Sequence, residues 1–182
     1  MKRCNWPSND ALMKKYHDEE WGKPLFDDFK LFESLTLEAA QAGLSWKTIL
    51  QKRENYRKAF DQFNFNIVAK YDNQMVKELL NNKGIVRNKL KINATIINAQ
   101  QIIKIRNEFT SFKKYIWGFT NNKIIYNDYD SEKNIPSKSN LSDIVSKDLK
   151  RRGFKFIGST IVYAYLQAIG VVNDHINQCE FK

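Results

Sequence analysis

No stretch of this chain approaches the roughly 20 consecutive apolar residues that a membrane span requires, and Lys2 and Arg3 near the start are followed by no apolar run of the secretory kind. A soluble, cytoplasmic protein is expected, with no membrane partner. There is no internal repeat and no low-complexity tract, which sets solenoids and arrays aside. Clean two-residue alternation of apolar and polar side chains is scarce, so the framework is not a sheet. Cysteine and histidine are rare, two of each, which makes their placement informative.

What is present is a chain of 182 residues, 42% of them hydrophobic. That fits one globular unit over residues 1–182, or two small helical lobes sharing a core, able to fold unaided. Thirty Lys and Arg against twenty Asp and Glu leave a net charge of +10, a field that draws polyanions to the surface. Nucleic acid is the leading partner, with a merely solubilising lysine-rich surface as the alternative.

Apolar residues recur at helical spacing through Phe29, Phe32, Leu35 and Leu37, through Met75, Val76, Leu79 and Leu80, and through Leu141, Ile144, Val145 and Leu149. Ser45 is placed to cap a helix start at Trp46, Gly43 and Gly84 fall where helical patterns stop, and Lys150, Arg151 and Arg152 before Gly153 suit the negative end of a helix. The expected fold class is all-α. Residues 160–169 are apolar nearly all round and predict a central buried helix, whereas residues 121–140 lack a period and predict an extended surface loop with a hint of strand over 123–126.

The four Cys and His residues fall as Cys4 and His17 near the start and His175 and Cys179 near the end. On a helix the last two would share a face. Two thiolates and two imidazoles make a closed tetrahedral set suited to a structural zinc ion joining the N- and C-terminal segments, with no position left for chemistry. A Cys4–Cys179 disulfide is disfavoured by cytosolic reduction; four unrelated residues remain the other alternative.

Trp6, Tyr16, Trp21 and Trp46 crowd the first quarter of the chain, and Glu38 interrupts the apolar stretch TLEAAQAGLSW. Aromatic faces around a carboxylate can stack a flat base and favour positive charge on it. The plainer alternative is ordinary core with Glu38 solvated. If Glu38 is buried and ionised it needs a partner, and a cationic ligand would supply one.

YHDEEWG at 16–22, QAGLSWKTIL at 41–50 with KRENYRKAF at 52–60, and GFKFIGSTIVYAYLQAIGVVNDH at 153–175 resemble the bacterial type I 3-methyladenine-DNA glycosylases over essentially the whole chain. The resemblance implies a fold of the helix-hairpin-helix glycosylase superfamily and hydrolysis of the bond between deoxyribose and 3-methyladenine in double-stranded DNA, without a nucleotide cofactor, by a monomer. It implies zinc on Cys4, His17, His175 and Cys179. It also implies that Glu38 recognises the alkylated base, that Tyr16 lines the pocket beside it, and that Trp46 stacks on the flipped base with Trp21 and Trp6 nearby. Met13 stands where relatives carry an aromatic tyrosine, so one wall of the pocket is expected to be softer.

The resemblance implies that the hairpin corresponds to NNKGIVRNKL at 81–90, where Gly84 would end one helix in a left-handed turn, Ile85 and Val86 would anchor it, and Arg87 and Lys89 would add charge near free amides. Leu44, with Gly43 and Ser45, is the candidate for filling the gap left by the flipped nucleotide, a buried packing leucine being the alternative. Lys47 is expected to contact phosphate. No lysine stands out as a Schiff-base nucleophile, so a monofunctional enzyme is expected. The rival of another class is a non-catalytic, zinc-stabilised nucleic-acid-binding module.

Overall fold

The computed structural model describes all 182 residues, and its architecture is almost entirely helical. The elements are α1 (Ala11–Glu19), α2 (Asp28–Gln41), α3 (Trp46–Ala59), α4 (Phe65–Val68), α5 (Asn73–Asn81), α6 (Lys89–Phe109), α7 (Phe112–Gly118), β1 (Ile125–Tyr126), α8 (Asn140–Arg151), α9 (Ser159–Ala168) and β2 (Val172–Asn173). No helix is long and apolar enough to cross a membrane.

Helix starts follow local chemistry. Asp10, Asp27, Ser45, Asn64, Asp72, Asn88, Ser111 and Ser139 each accept a hydrogen bond from a backbone N–H of the first turn they precede, satisfying donors that the helix itself leaves open. Only α9 begins without such a cap, at Gly158. The apolar helix expected at 160–169 is this one, and Val162, Tyr163, Tyr165 and Leu166 are buried in it.

One main core of thirty-four buried residues holds the molecule together, with a satellite of six around Cys4, Tyr16, Trp21 and Cys179, and Trp46 packs against both. Helix α2 runs through the main core against α3, α6, α7 and α9. Its consecutive residues Leu35 to Ala40 are all buried, the polar Glu38 among them. Asp28 at the first turn of α2 fixes the helix in place. Its carboxylate accepts from the amides of Phe112 (3.1 Å) and Lys113 (2.8 Å) at the start of α7 and lies 3.0 Å from Arg106 Nε of α6.

The segment 121–140 is mostly irregular but is tied down. β1 pairs in parallel with β2, Ile125 opposite Val172 and Tyr126 opposite Asn173, and the Asn177 amide donates to the Tyr129 carbonyl at 2.8 Å. At the chain ends, Glu180 and Lys2 exchange backbone and side-chain bonds: the Glu180 amide donates to the Lys2 carbonyl and its carboxylate accepts from the Lys2 amide. Both termini and the long loop therefore meet on one side of the molecule.

Two local expectations are corrected. His175 and Cys179 do not lie on a helix; the chain after β2 is irregular, and a turn closed by the Cys179 amide on the Ile176 carbonyl at 2.9 Å brings them together. Gly84 is not in the left-handed region. A Cβ there would come within 2.9 Å of the Asn55 side chain, so the glycine permits close packing of the 82–88 turn on α3 rather than a special dihedral.

Asp28→Ala removes a carboxylate that serves two amides and one guanidinium across three helices, and is expected to lower unfolding stability by about 2 kcal/mol. Urea denaturation measures this. An unchanged midpoint would contradict the anchoring role.

Candidate functional site

A cavity of about 350 Å³ opens between α1, α2, the start of α3 and α9. Trp6, Tyr16, Trp21, Glu38, Gln41 and Trp46 line it, together with Glu132, Ile135, Ala164 and Gln167. The Tyr16 and Trp46 rings lie 5.2 Å apart at 54°, and Trp6 stands edge-on to Tyr16 at 6.2 Å and to Trp21 at 5.2 Å. The indole N–H groups of Trp6 and Trp46 are buried and have no acceptor within the protein.

Glu38 is 5% exposed. Burial alone pushes its carboxyl up to about 8, with no ion pair or hydrogen bond to hold it down. Burial, and after it the Glu38 charge, also raises the Tyr16 hydroxyl well above its ordinary value. The cavity thus combines aromatic walls with one carboxylate that the protein leaves unpaired, an arrangement suited to a flat ligand that brings positive charge or hydrogen-bond donors. A larger cleft of about 480 Å³ lies behind Tyr16 and Trp46, but its carboxylates Glu19, Glu20 and Glu33 are already paired with Lys15, Arg53 and Arg57.

Beside the cavity, Cys4, His17, His175 and Cys179 are all buried and their donor atoms lie within 4.8 Å of one another. The Cys179 sulfur is 3.6 Å from His17 Nε2 and 3.3 Å from His175 Nδ1, and the Cys4 sulfur is 3.7 Å from His175 Nδ1. Both thiols are free. The remaining ring nitrogens are engaged from behind: His17 Nδ1 with Asp18 at 2.7 Å, and His175 Nε2 with the Trp21 carbonyl at 3.0 Å. Such outer contacts fix which nitrogen faces inward, as in metal sites. Burial pushes the Cys4 thiol up to about 12 and His175 down to about 4, so the cluster favours neutral groups until a cation enters. Trp21 stands edge-on to His175 at 4.6 Å and Trp6 edge-on to His17 at 5.3 Å, so pocket and cluster share walls.

Among the other residues singled out from sequence, Met13 packs on the satellite cluster and is not part of the cavity wall. Lys47 pairs with Asp10 at 2.7 Å. Leu44 is 41% exposed, at the crest of the turn between α2 and α3, where Gly43 takes φ +81°. It borders a groove with Thr48, Lys52, Lys83, Val86 and Arg87. At the start of α6, Asn88 caps the Lys91 amide, leaving Lys89 and Leu90 with unbonded amides.

Sequence reading missed three features. Glu132 and Ile135, on the loop expected to be mere surface, reach the cavity, and Glu132 accepts from the backbone amides of Asn5 and Trp6. Asp174 is fully buried, but Asn127, Tyr163 and Gln167 all donate to it, which leaves it structural. The turn between α8 and α9 presents the uncapped amides of Ser159, Thr160 and Ile161. The missing cap at Gly158 was the available signal for this last feature.

The model of the methyladenine glycosylase family matches residues 6–182, and the chain belongs to that family. It is 43% identical over 180 residues to the DNA-3-methyladenine glycosylase of Haemophilus influenzae, spanning 99% of this chain and 97% of that one. It is 45% identical over 179 residues to DNA-3-methyladenine glycosylase 1 of Escherichia coli, spanning 98% and 96%. A crystal structure of a 3-methyladenine DNA glycosylase I variant, tyrosine replaced by phenylalanine, in complex with 3-methyladenine superposes with a TM-score of 0.97 at 36% identity, over 100% of this chain and 98% of that one.

Glu38→Gln is expected to stabilise the unliganded protein in a pH-dependent way. Below pH 4.5 the carboxyl is neutral whether folded or not; between 4.5 and about 8 the unfolded chain ionises while the folded one stays protonated, so the unsubstituted protein loses stability as pH rises. Glutamine carries no such slope. Thermal or urea unfolding at several pH values checks this, and equal pH slopes for the two proteins would contradict it.

Proposed function

We propose that this chain excises 3-methyladenine from DNA by hydrolysing its N-glycosidic bond after flipping the nucleotide out of the duplex. The observation that carries the reading is the unpaired, buried Glu38 carboxylate at the wall of an aromatic cavity. Alkylation at N3 makes the adenine cationic before it leaves. Glu38 accepts hydrogen bonds from it and supplies the missing negative charge, while Trp46 and Tyr16 favour the cation over neutral adenine.

The bond between C1′ and the base breaks with its electron pair going to the base, which departs neutral; water adds at C1′ and loses its proton to solvent. The chain's part is to bind, orient and shield the leaving base. No lysine lines the cavity, which favours a monofunctional enzyme leaving an abasic site.

Flipping costs a few kcal/mol, which stacking at roughly 1–3 kcal/mol per base and phosphate contacts offset. The exposed Leu44 fills the vacated space, with Gly43 giving the turn its shape. Lys47, Arg87 and Lys89 and the turn through Gly84 and Val86 approach phosphates, and the bare amides at the start of α9 offer a second helix terminus for an anion.

Zinc fits the cluster. Zn–S near 2.3 Å and Zn–N near 2.05 Å at tetrahedral angles place sulfur and nitrogen about 3.5 Å apart, against the 3.3–3.7 Å present here. Such an ion would hold Cys4, His17, His175 and Cys179 together and supply folding energy, with no open position for substrate.

Chelator-free protein is expected to release free 3-methyladenine from methylated duplex DNA, resolved by chromatography, without strand scission. Glu38→Gln should lower that release roughly 10- to 100-fold, the loss of a charge-assisted contact. A folded protein that binds DNA yet releases no base would leave the binding module as the correct reading. Elemental analysis should find one zinc per chain, and chelation should raise amide exchange at both termini; protein purified without zinc would contradict the metal assignment.

A further inference from the structure

Helix α2 ends in a turn whose shape presents Leu44. Ala42 takes φ −46° and ψ 114°, Gly43 follows at φ +81°, and the Leu44 amide donates to the Gln41 carbonyl at 2.6 Å, the pattern of a type II turn. A helix C-terminus leaves carbonyls without partners and carries partial negative charge, yet α2 has no basic residue in its own last turn. The missing cation comes from a distant helix. Lys91, in the first turn of α6, donates through Nζ to the carbonyls of Ala40 at 2.8 Å and Ala42 at 2.6 Å. Its own amide is held by Asn88, the cap of α6.

We infer that Lys91 is a positioning residue that locks the Ala42–Leu44 turn, so that Leu44 stands ready to enter the duplex when the 82–90 turn meets the DNA backbone. The two bonds span 51 and 49 residues of sequence and join the turn that carries Leu44 to the helix start that carries Lys89. Contact at one is thereby transmitted to the other through a single ammonium. Ala40 lies in the last turn of α2 and Ala42 in the β-turn itself, so losing the ammonium frees the turn, whereas Glu38, four residues before Ala42 and packed within the core, stays in place. The inference rests on the reading of Leu44 as the group that replaces the flipped nucleotide.

Lys91→Met keeps an unbranched chain the length of the lysine stem and removes the donors, and Lys91→Arg keeps a cation with donors. The methionine variant should release 3-methyladenine from duplex DNA roughly tenfold more slowly, the order expected for loss of charge-assisted hydrogen bonds, while its affinity for the free base changes less than twofold. Arginine should restore most of the rate. In a Leu44→Ala background the same Lys91 change should cost little more, because the two residues act through one step. Amide exchange at Leu44, measured without DNA, should rise in Lys91→Met and stay near the unsubstituted rate in Lys91→Arg.

Unchanged exchange at Leu44 would overturn the inference whatever the activity does. So would equal losses in free-base affinity and duplex excision, since these would place Lys91 in the support of the pocket. If the unsubstituted protein released no base, the functional reading would fall, and Leu44 exchange alone would still decide whether Lys91 locks the turn.

Discussion

A carboxylate buried without a partner is the constraint around which this molecule is organised. Glu38 sits buried on a helix wrapped by four others, and no lysine or arginine comes near enough to neutralise it. Charging such a group in the free protein is costly. A ligand of opposite charge would turn that cost into selectivity, since a cationic base would then be favoured over a neutral one of the same shape. The helices that bury Glu38 are held in register at the other end of α2, where Asp28 ties α2, α6 and α7 together.

The aromatic half of the pocket depends on a different device. Trp6 lies on an N-terminal segment outside any helix, and it stays against Tyr16 and Trp21 because Glu132 holds its amide, Glu180 holds Lys2, and the Cys/His cluster gathers both chain ends. His17 and Trp21 belong to both neighbourhoods. Closure of the chain ends and the shape of the aromatic cavity are therefore one structural problem, and a metal at the cluster would bear on the cavity through packing.

Much of this was legible in the sequence for definite reasons. The helix frame follows from apolar spacing and from capping residues such as Ser45, whose effects are local. The four cluster residues stood out because the chain has no other Cys or His, and Glu38 because it interrupts an apolar run. What escaped depends on contacts between distant segments. The pairing of β1 with β2 turns a polar loop into a wall that delivers Glu132 and Ile135. His175 and Cys179 meet through a turn, though helical spacing would have served equally well. Gly84 serves close packing on Asn55, invisible without knowing that the two segments touch. Lys91 looked like one cation among thirty until its two carbonyl partners were in view.

The ionisation of Glu38 itself tests the central claim most directly. With glutamate labelled at the side-chain carboxyl carbon, an NMR titration of the folded, unliganded protein is predicted to show one resonance with a midpoint near 8. That resonance should be lost in Glu38→Gln and shift to lower pH when a cationic base analogue is bound. A midpoint in the usual carboxylate range near 4.5 in the free protein, unmoved by the analogue, would mean that Glu38 is solvated or paired and that the selectivity for a charged base lies elsewhere.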